Sequence, residues 1–297
     1  MGEQLARIAG NSIAHPNLDY RKGADGKLVK LEDQLPKPTP LLALLKSPRE
    51  DFPAPHEQNM VLRTPDGATY VAGLVKVDAG LGADKAAKIA VGAQAVNEAG
   101  KVAATSEREL VPVVAPDGSA VVSYGLALKP GDYTLRVGVL DPKTGKGSAH
   151  TQPLKVPDFG VEEVSLSPLM VLKDVQEGPS DPQHGLAAFQ LGNMRLVPQY
   201  GSAFATTDGI VLLAFIYGGK VDEATGKPSL TASFSILKDG SPVARAPEQT
   251  YDATPTGPSV GPVPLAAYKP GRYVALVTIK DNVSKKDYKT EAAFEVK

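Results

Sequence analysis

Cysteine and tryptophan are both missing from the 297 residues, and there are only four methionines and four histidines. Without cysteine there are no disulfides, no thiolate metal sites and no cysteine nucleophile. The compartment stays open, because many bacterial envelope proteins also lack cysteine. Charge of one sign is missing as well: Lys+Arg total 32 against Asp+Glu 33, and the longest basic run is Lys285-Lys286. A nucleic-acid binder needs a basic stripe to displace phosphate counterions, so this balance argues against such a partner. No stretch approaches the ~20 apolar residues of a membrane helix. The longest candidate, GIVLLAFIYGG at 209–219, is strand-sized and bounded by glycines. The opening MGEQLARIAGNSIAHPNLDY lacks the apolar centre of a secretory signal. The chain is therefore expected to be cytosolic, or else a mature or excised part of a longer exported protein.

What is present is a β pattern, given twice. LALKPGDYTLRVGV at 126–139 returns as AAYKPGRYVALVTI at 266–279, an offset of 140 residues (269 − 129). In step with it, Tyr133 meets Tyr273, Asp141 meets Asp281 and Val156 meets Val296; upstream, Val96 meets Ile236 and Gly100 meets Gly240. A period this long indicates duplicated domains, since solenoid units run at ~20–50 residues. Tyr133, Leu135, Val137 and Val139 alternate with polar or small residues, which predicts a strand with one buried face. The matching strand has apolar residues in both sets, so cover on both sides is expected there. Pro130-Gly131 and Pro270-Gly271 suit the centre of type II turns, with glycine at positive φ. DPKTGKG (141–147) and DNVSKKD (281–287) read as hairpin connections into strands 149–156 and 289–296. Further strands are expected at 69–77, 89–96, 119–126, 161–166, 209–217, 230–237 and 243–249. The fold class is then all-β, two tandem immunoglobulin-like sandwiches over 58–157 and 158–297. Residues 1–57 are rich in proline and read as an extended arm. It carries one short docked helix at TPLLALLKS, 39–47.

The series LALKPGDYTLRVGVLDPKTGKGSAHTQPLKVPDF, followed by VSLSPLMVL, resembles the C-terminal region of von Willebrand factor A-related proteins of Acidobacteria type. MRLVPQYGSAFATTDGIVLLAFIYGG and the closing KPGRYVALVTIKDN also match that pattern, so the resemblance covers roughly residues 39–297. It implies a pair of sandwiches from exported proteins and an extracytoplasmic setting. The A domain itself and its metal-binding Asp-x-Ser-x-Ser loop are absent from this sequence, so metal-dependent adhesion does not carry over.

Catalytic chemistry finds little footing. His15, His56, His150 and His184 are isolated in sequence and read as surface or loop residues; no His-x-x-x-His spacing exists. Nucleophile elbows, P-loops and dinucleotide fingerprints are missing, and Ser202 lacks the following helix that an elbow needs. Asp222-Glu223, Asp78–Asp84 and Asp181 do not have the spacing of a calcium loop and read as solvated carboxylates. Tyr133 and Tyr273 read as tyrosine corners, with rings buried and hydroxyls bonded back to the chain. The residues singled out, Pro130, Gly131, Tyr133, Pro270, Gly271 and Tyr273, are thus structural. No enzyme, cofactor or metal is expected, and the composition argues against a small-molecule ligand. The expected role is a non-catalytic interaction or structural module of the bacterial envelope, with a protein partner or self-association through sheet edges and loops. Self-assembly through the 1–57 arm and glycan binding are the alternatives, the latter weakened by an aromatic content of 6%.

Overall fold

The computed structural model describes residues 20–22, 28–30, 38–77, 87–200 and 203–297. The chain divides at Thr39/Pro40 into two units. In the first, β1 (Tyr20–Lys22) and β2 (Leu28–Lys30) pair antiparallel. The compact unit thus takes in the segment from Pro40 to residue 57, which the sequence reading assigned to the arm.

From Pro40 onward the elements run α1 (Pro40–Lys46), β3 (His56–Arg63), β4 (Thr69–Val77), β5 (Ile89–Asn97), β6 (Val102–Leu110), β7 (Val113–Val114), β8 (Ala120–Leu128), β9 (Gly131–Leu140) and β10 (Gly147–Val156). They continue with β11 (Ser165–Leu166), β12 (Met170–Glu177), β13 (Gln190–Leu191), β14 (Met194–Pro198), β15 (Gly209–Leu213) and β16 (Ile216–Tyr217). The last are β17 (Leu230–Lys238), β18 (Ser241–Arg245), β19 (Gln249–Tyr251), β20 (Ser259–Pro264), β21 (Gly271–Asp281) and β22 (Asp287–Val296). The fold is all-β, with one short helix among the described residues.

Four sheets stack face to face. Sheets β10-β9-β5-β6 and β3-β4-β8-β7 enclose one core; β13-β14-β12-β15-β20 and β18-β17-β21-β22 enclose a second. The duplication is visible in the strand orders β10-β9-β5-β6 and β22-β21-β17-β18, which match element for element. One register differs from the sequence alignment. Asn97 lies opposite Tyr133, whereas Leu237 lies opposite Val274, so Asn97 corresponds to Lys238, an offset of 141 (238 − 97). The reason is the hairpin that follows: Lys238 pairs with Ser241 across a two-residue Asp239-Gly240 turn with φ of 52° and 77°, one residue tighter than its counterpart.

A third core joins the two sandwiches. The period of two sends Val71 and Val75 of β4 into the first core and Ala72 and Leu74 toward Met170, Leu172, Phe189 and Leu196 of the second sandwich. The segment before β13 acts as a clip here. The Val111 N–H donates to the Gln183 carbonyl at 2.7 Å, the Ala188 N–H to Ser123 Oγ at 3.1 Å, and the Tyr70 hydroxyl to the Ala188 carbonyl at 3.1 Å. Gly185 fits because a Cβ there would stand 2.8 Å from the Val113 nitrogen and the Val121 oxygen. The segment 209–217, expected as one strand, breaks into β15 and β16. Ser167 causes the break: its N–H donates to the Phe215 carbonyl and its Oγ accepts the Phe215 N–H, both at 2.9 Å. Beyond that break, Ile216 enters the second core and Tyr217 the first.

Helix α1 covers the outer face of β5, β9 and β10 with Leu41, Leu44 and Leu45, all buried. Its seat is made of glycines. A Cβ on Gly92, Gly138 or Gly147 would lie 3.0, 3.0 or 2.7 Å from Leu41, Leu45 or Leu44 respectively. Hence the strand covered on both sides is β9, not β21 as the sequence indicated. In β21 one face is buried and the other half-covered, in strict alternation from Tyr273 to Ile279.

Candidate functional site

The two lysine-proline-glycine segments bend at the proline and begin a strand at the glycine. Gly131 and Gly271 have φ of 148° and 138°, well beyond the ~+80° of a type II turn, so the turn type differs from the expectation although positive φ still demands glycine. The Tyr133 hydroxyl donates to the Lys129 carbonyl at 3.0 Å and the Tyr273 hydroxyl to the Lys269 carbonyl at 2.6 Å. Tyr273 is buried, whereas Tyr133 is half-buried. The second ring is held by Phe294, stacked at 5.6 Å, and by Tyr268, edge-on at 5.3 Å.

A loop type that the sequence reading saw twice occurs three times. In Asp141–Lys146, Asp222–Lys227 and Asp281–Lys286, the first N–H donates to the last carbonyl at 2.9 Å, and the aspartate caps N–H groups two or three residues on. The signal was legible as D-x-x-[ST]-x-K. Asp222, weighed above as a calcium ligand, is engaged in its own turn, as is Asp181, whose carboxylate accepts from Gln183. The fifth residue takes the left-handed conformation in each: Gly145 at 70°, Gly226 at 67°, and Lys285 at 62°. A lysine at that φ is strained where glycine is not. Lys285→Gly is therefore expected to raise stability by about 0.5–1 kcal/mol, the strain relief exceeding the added unfolded-chain entropy. Urea denaturation read as a change of midpoint at constant slope checks it.

His56 and His150 are placed on strands and not in loops, whereas His184 lies in a loop. His15 lies outside the described residues, as do Ser202 and the Asp78–Asp84 segment. His56 on β3 and His150 on β10 stack at 5.8 Å between ring centroids, each with Nε2 buried and unpartnered. Burial lowers the His56 pKa, the Gln152 side chain opposes this, and His150 adds to the lowering. The folded pKa lies below the ordinary 6.5, so the unfolded chain takes up its proton first. Stability from this site is full above 6.5 and falls as pH drops from there toward the folded pKa. His56→Gln is expected to flatten that part of the stability–pH curve, measured by urea denaturation at stepped pH. His184 Nδ1 accepts the Leu186 N–H at 3.0 Å within the clip.

In the cleft between the sandwiches, about 270 Å³, Asp117 pairs with Lys76 at 2.6 Å and Lys173 with Asp208 at 3.8 Å, and Lys297 also lines it. Burial pushes the Tyr200 hydroxyl there up to about 12. No group of three His, Cys, Asp or Glu side chains is disposed to hold a metal among the described residues. No helix among them is long and apolar enough to cross a membrane.

The sheet edges differ sharply in openness. β10 carries Pro153, and at its start the Ala149 N–H donates to the Arg49 carbonyl at 2.9 Å. β18 carries Pro242 and a bulge at Val243, and β20 carries Pro262 and Pro264. β22 is capped at its end by Phe204, whose N–H donates to the Glu295 carbonyl at 2.8 Å. β6 has nine residues, no proline and one bulge, at Ala103, and pairs only with β5 among the described residues. Its Val102-Ala103-Ala104-Thr105 half is uncharged, and Val102 is 43% exposed.

No family model matches the chain. No curated protein matches it either. Among solved structures it is similar to a tetra-tandem repeat in the extending region of a large adhesion protein, at 13% identity and a TM-score of 0.25, over 82% of this chain and 50% of that one. It is also similar to dimeric latent PorU from Porphyromonas gingivalis, at 12% identity and a TM-score of 0.33, over 83% of this chain and 20% of that one. The chain thus spans half the length of the first and a fifth of the second.

Proposed function

We propose that this chain is a non-catalytic interaction or structural module of the bacterial cell envelope or surface, acting through a sheet edge and loops. The observation that carries it is the open β6 edge. Its uncharged half, 102–105, is free of proline and has no strand partner besides β5 among the described residues, so a partner strand can add there, while β10, β18 and β20 carry proline and β22 a capping segment. The shared third core holds both sandwiches in one relation, which suits a scaffold. The extracytoplasmic setting rests on the resemblance of 126–172 to von Willebrand factor A-related proteins. Glycan binding has less support, because the Tyr273 ring is already stacked on Phe294 and met edge-on by Tyr268.

A photo-crosslinking phenylalanine analogue in place of Ala103 is expected to give protein adducts in cells of the source bacterium. The same analogue at Lys155, on the proline-bearing β10 edge, is expected to give none. Ala103→Lys with Thr105→Lys, both at exposed side chains, is expected to guard the edge and lower partner retention in the same cells. Equal labelling at both positions, or none at either, would count against the reading.

A further inference from the structure

The second tyrosine corner carries more than its fold requires. Beside Tyr273 lies a hollow of about 280 Å³ walled by Lys238, Val243, Ala267, Tyr268, Lys269 and Tyr273. Lys238 is half-buried. Its Nζ sits 4.9 Å from the Tyr273 ring centroid and donates to Tyr273 Oη at 3.3 Å and to the Pro270 carbonyl at 3.5 Å. These are neutral acceptors. No carboxylate lines the hollow, and neither Lys238 nor Lys269 forms an ion pair among the described residues. The first corner lacks this arrangement. Asn97 stands opposite Tyr133, its Oδ1 already accepting the Lys101 N–H at 2.9 Å, and Leu128 precedes the lysine-proline-glycine bend where the second copy has Tyr268.

We propose that this hollow binds a carboxylate on an apolar stem, presented by an acidic segment of a partner protein. An ammonium whose only partners are neutral acceptors gains a stronger, charge-assisted hydrogen bond when a carboxylate enters. The Tyr268 ring and Val243, 52% exposed, give the stem its apolar contact. The Tyr273 ring already stacks on Phe294, which takes one of its faces from any sugar. The site is separate from the β6 edge and stands independently of it.

Sodium phenylacetate, neutral phenylacetamide and D-glucuronate, titrated into the isotope-labelled whole chain and followed by amide shifts, test this. Phenylacetate is expected to give saturable shifts confined to residues 238–243 and 267–273. Affinity is expected to be about tenfold weaker for phenylacetamide and in Lys238→Met, and to fall as salt rises. Lys269→Met, at an exposed side chain, gives a second variant that keeps the corner folded and is expected to weaken phenylacetate several-fold. Equal affinity for acid and amide, shifts scattered over the surface, or unchanged affinity in both variants would overturn the proposal. Glucuronate binding tighter than phenylacetate would overturn it too, assigning the hollow to an acidic sugar.

Discussion

Phe189→Ala is expected to destabilise both sandwiches together, by about 3–5 kcal/mol, although the residue lies in the sequence of the second alone. Phe189 is fully buried in the core that the sandwiches share, beside Leu186, Leu196 and Leu172 from its own side and Met60 and Leu74 from the other. Truncation removes ring contacts on both sides and leaves a cavity that two stiff sheets cannot close. Calorimetry of the parent is expected to show one cooperative transition. In the variant it moves down, and amide exchange is expected to speed up in β9 of the first sandwich as well as β21 of the second. Faster exchange in β21 with β9 unchanged would mean that the sandwiches fold independently.

The second large effect is expected at Asp281, which is 1% exposed. Its carboxylate accepts N–H groups from Val283 at 2.9 Å, Ser284 at 3.1 Å and Lys220 at 3.2 Å, tying the β21–β22 turn to the segment after β16. Burial raises its pKa, but the hydrogen bonds from Ser284, Lys220 and Val283 outweigh this and hold it below the ordinary value. Asp281→Ala leaves these donors without their acceptor and is expected to cost about 2–3 kcal/mol. The same change at Asp141 or Asp222, whose loops face solvent, is expected to cost clearly less. The sign of the pH effect follows from the lowered pKa. The stabilisation is complete above the unfolded carboxyl value and is lost as pH falls through the folded one, and Asp281→Ala removes that loss. Denaturant midpoints of the three variants at neutral and acid pH separate these outcomes; three equal losses would contradict the special role of Asp281.

Much of this molecule was legible in local pattern. Alternation from Tyr133 to Val139 announced β9, the tyrosine spacing announced a hydroxyl within reach of the carbonyl four residues upstream, and the proline-bracketed leucines of 39–47 announced α1. The open β6 edge was harder to see, since proline content marks the guarded edges but strand order decides which strands are edges. The hollow at Tyr273 escaped altogether. It depends on a one-residue register change set by the Asp239-Gly240 turn, which brings Lys238, not its neighbour, opposite the ring.

The sequence by itself determined that the chain is built twice over from strands with one apolar face, and where each copy turns. These are short-range properties: a period of two, a glycine at positive φ, an aspartate capping the next turn. Tertiary structure alone decided which apolar faces meet. It set Ala72 and Leu74 against Phe189 to fuse the sandwiches, seated α1 on Gly92, Gly138 and Gly147, and brought His56 to His150 across 94 residues (150 − 56). Alternation states that a face must be buried but carries no address for its partner, because hydrophobic burial has no direction.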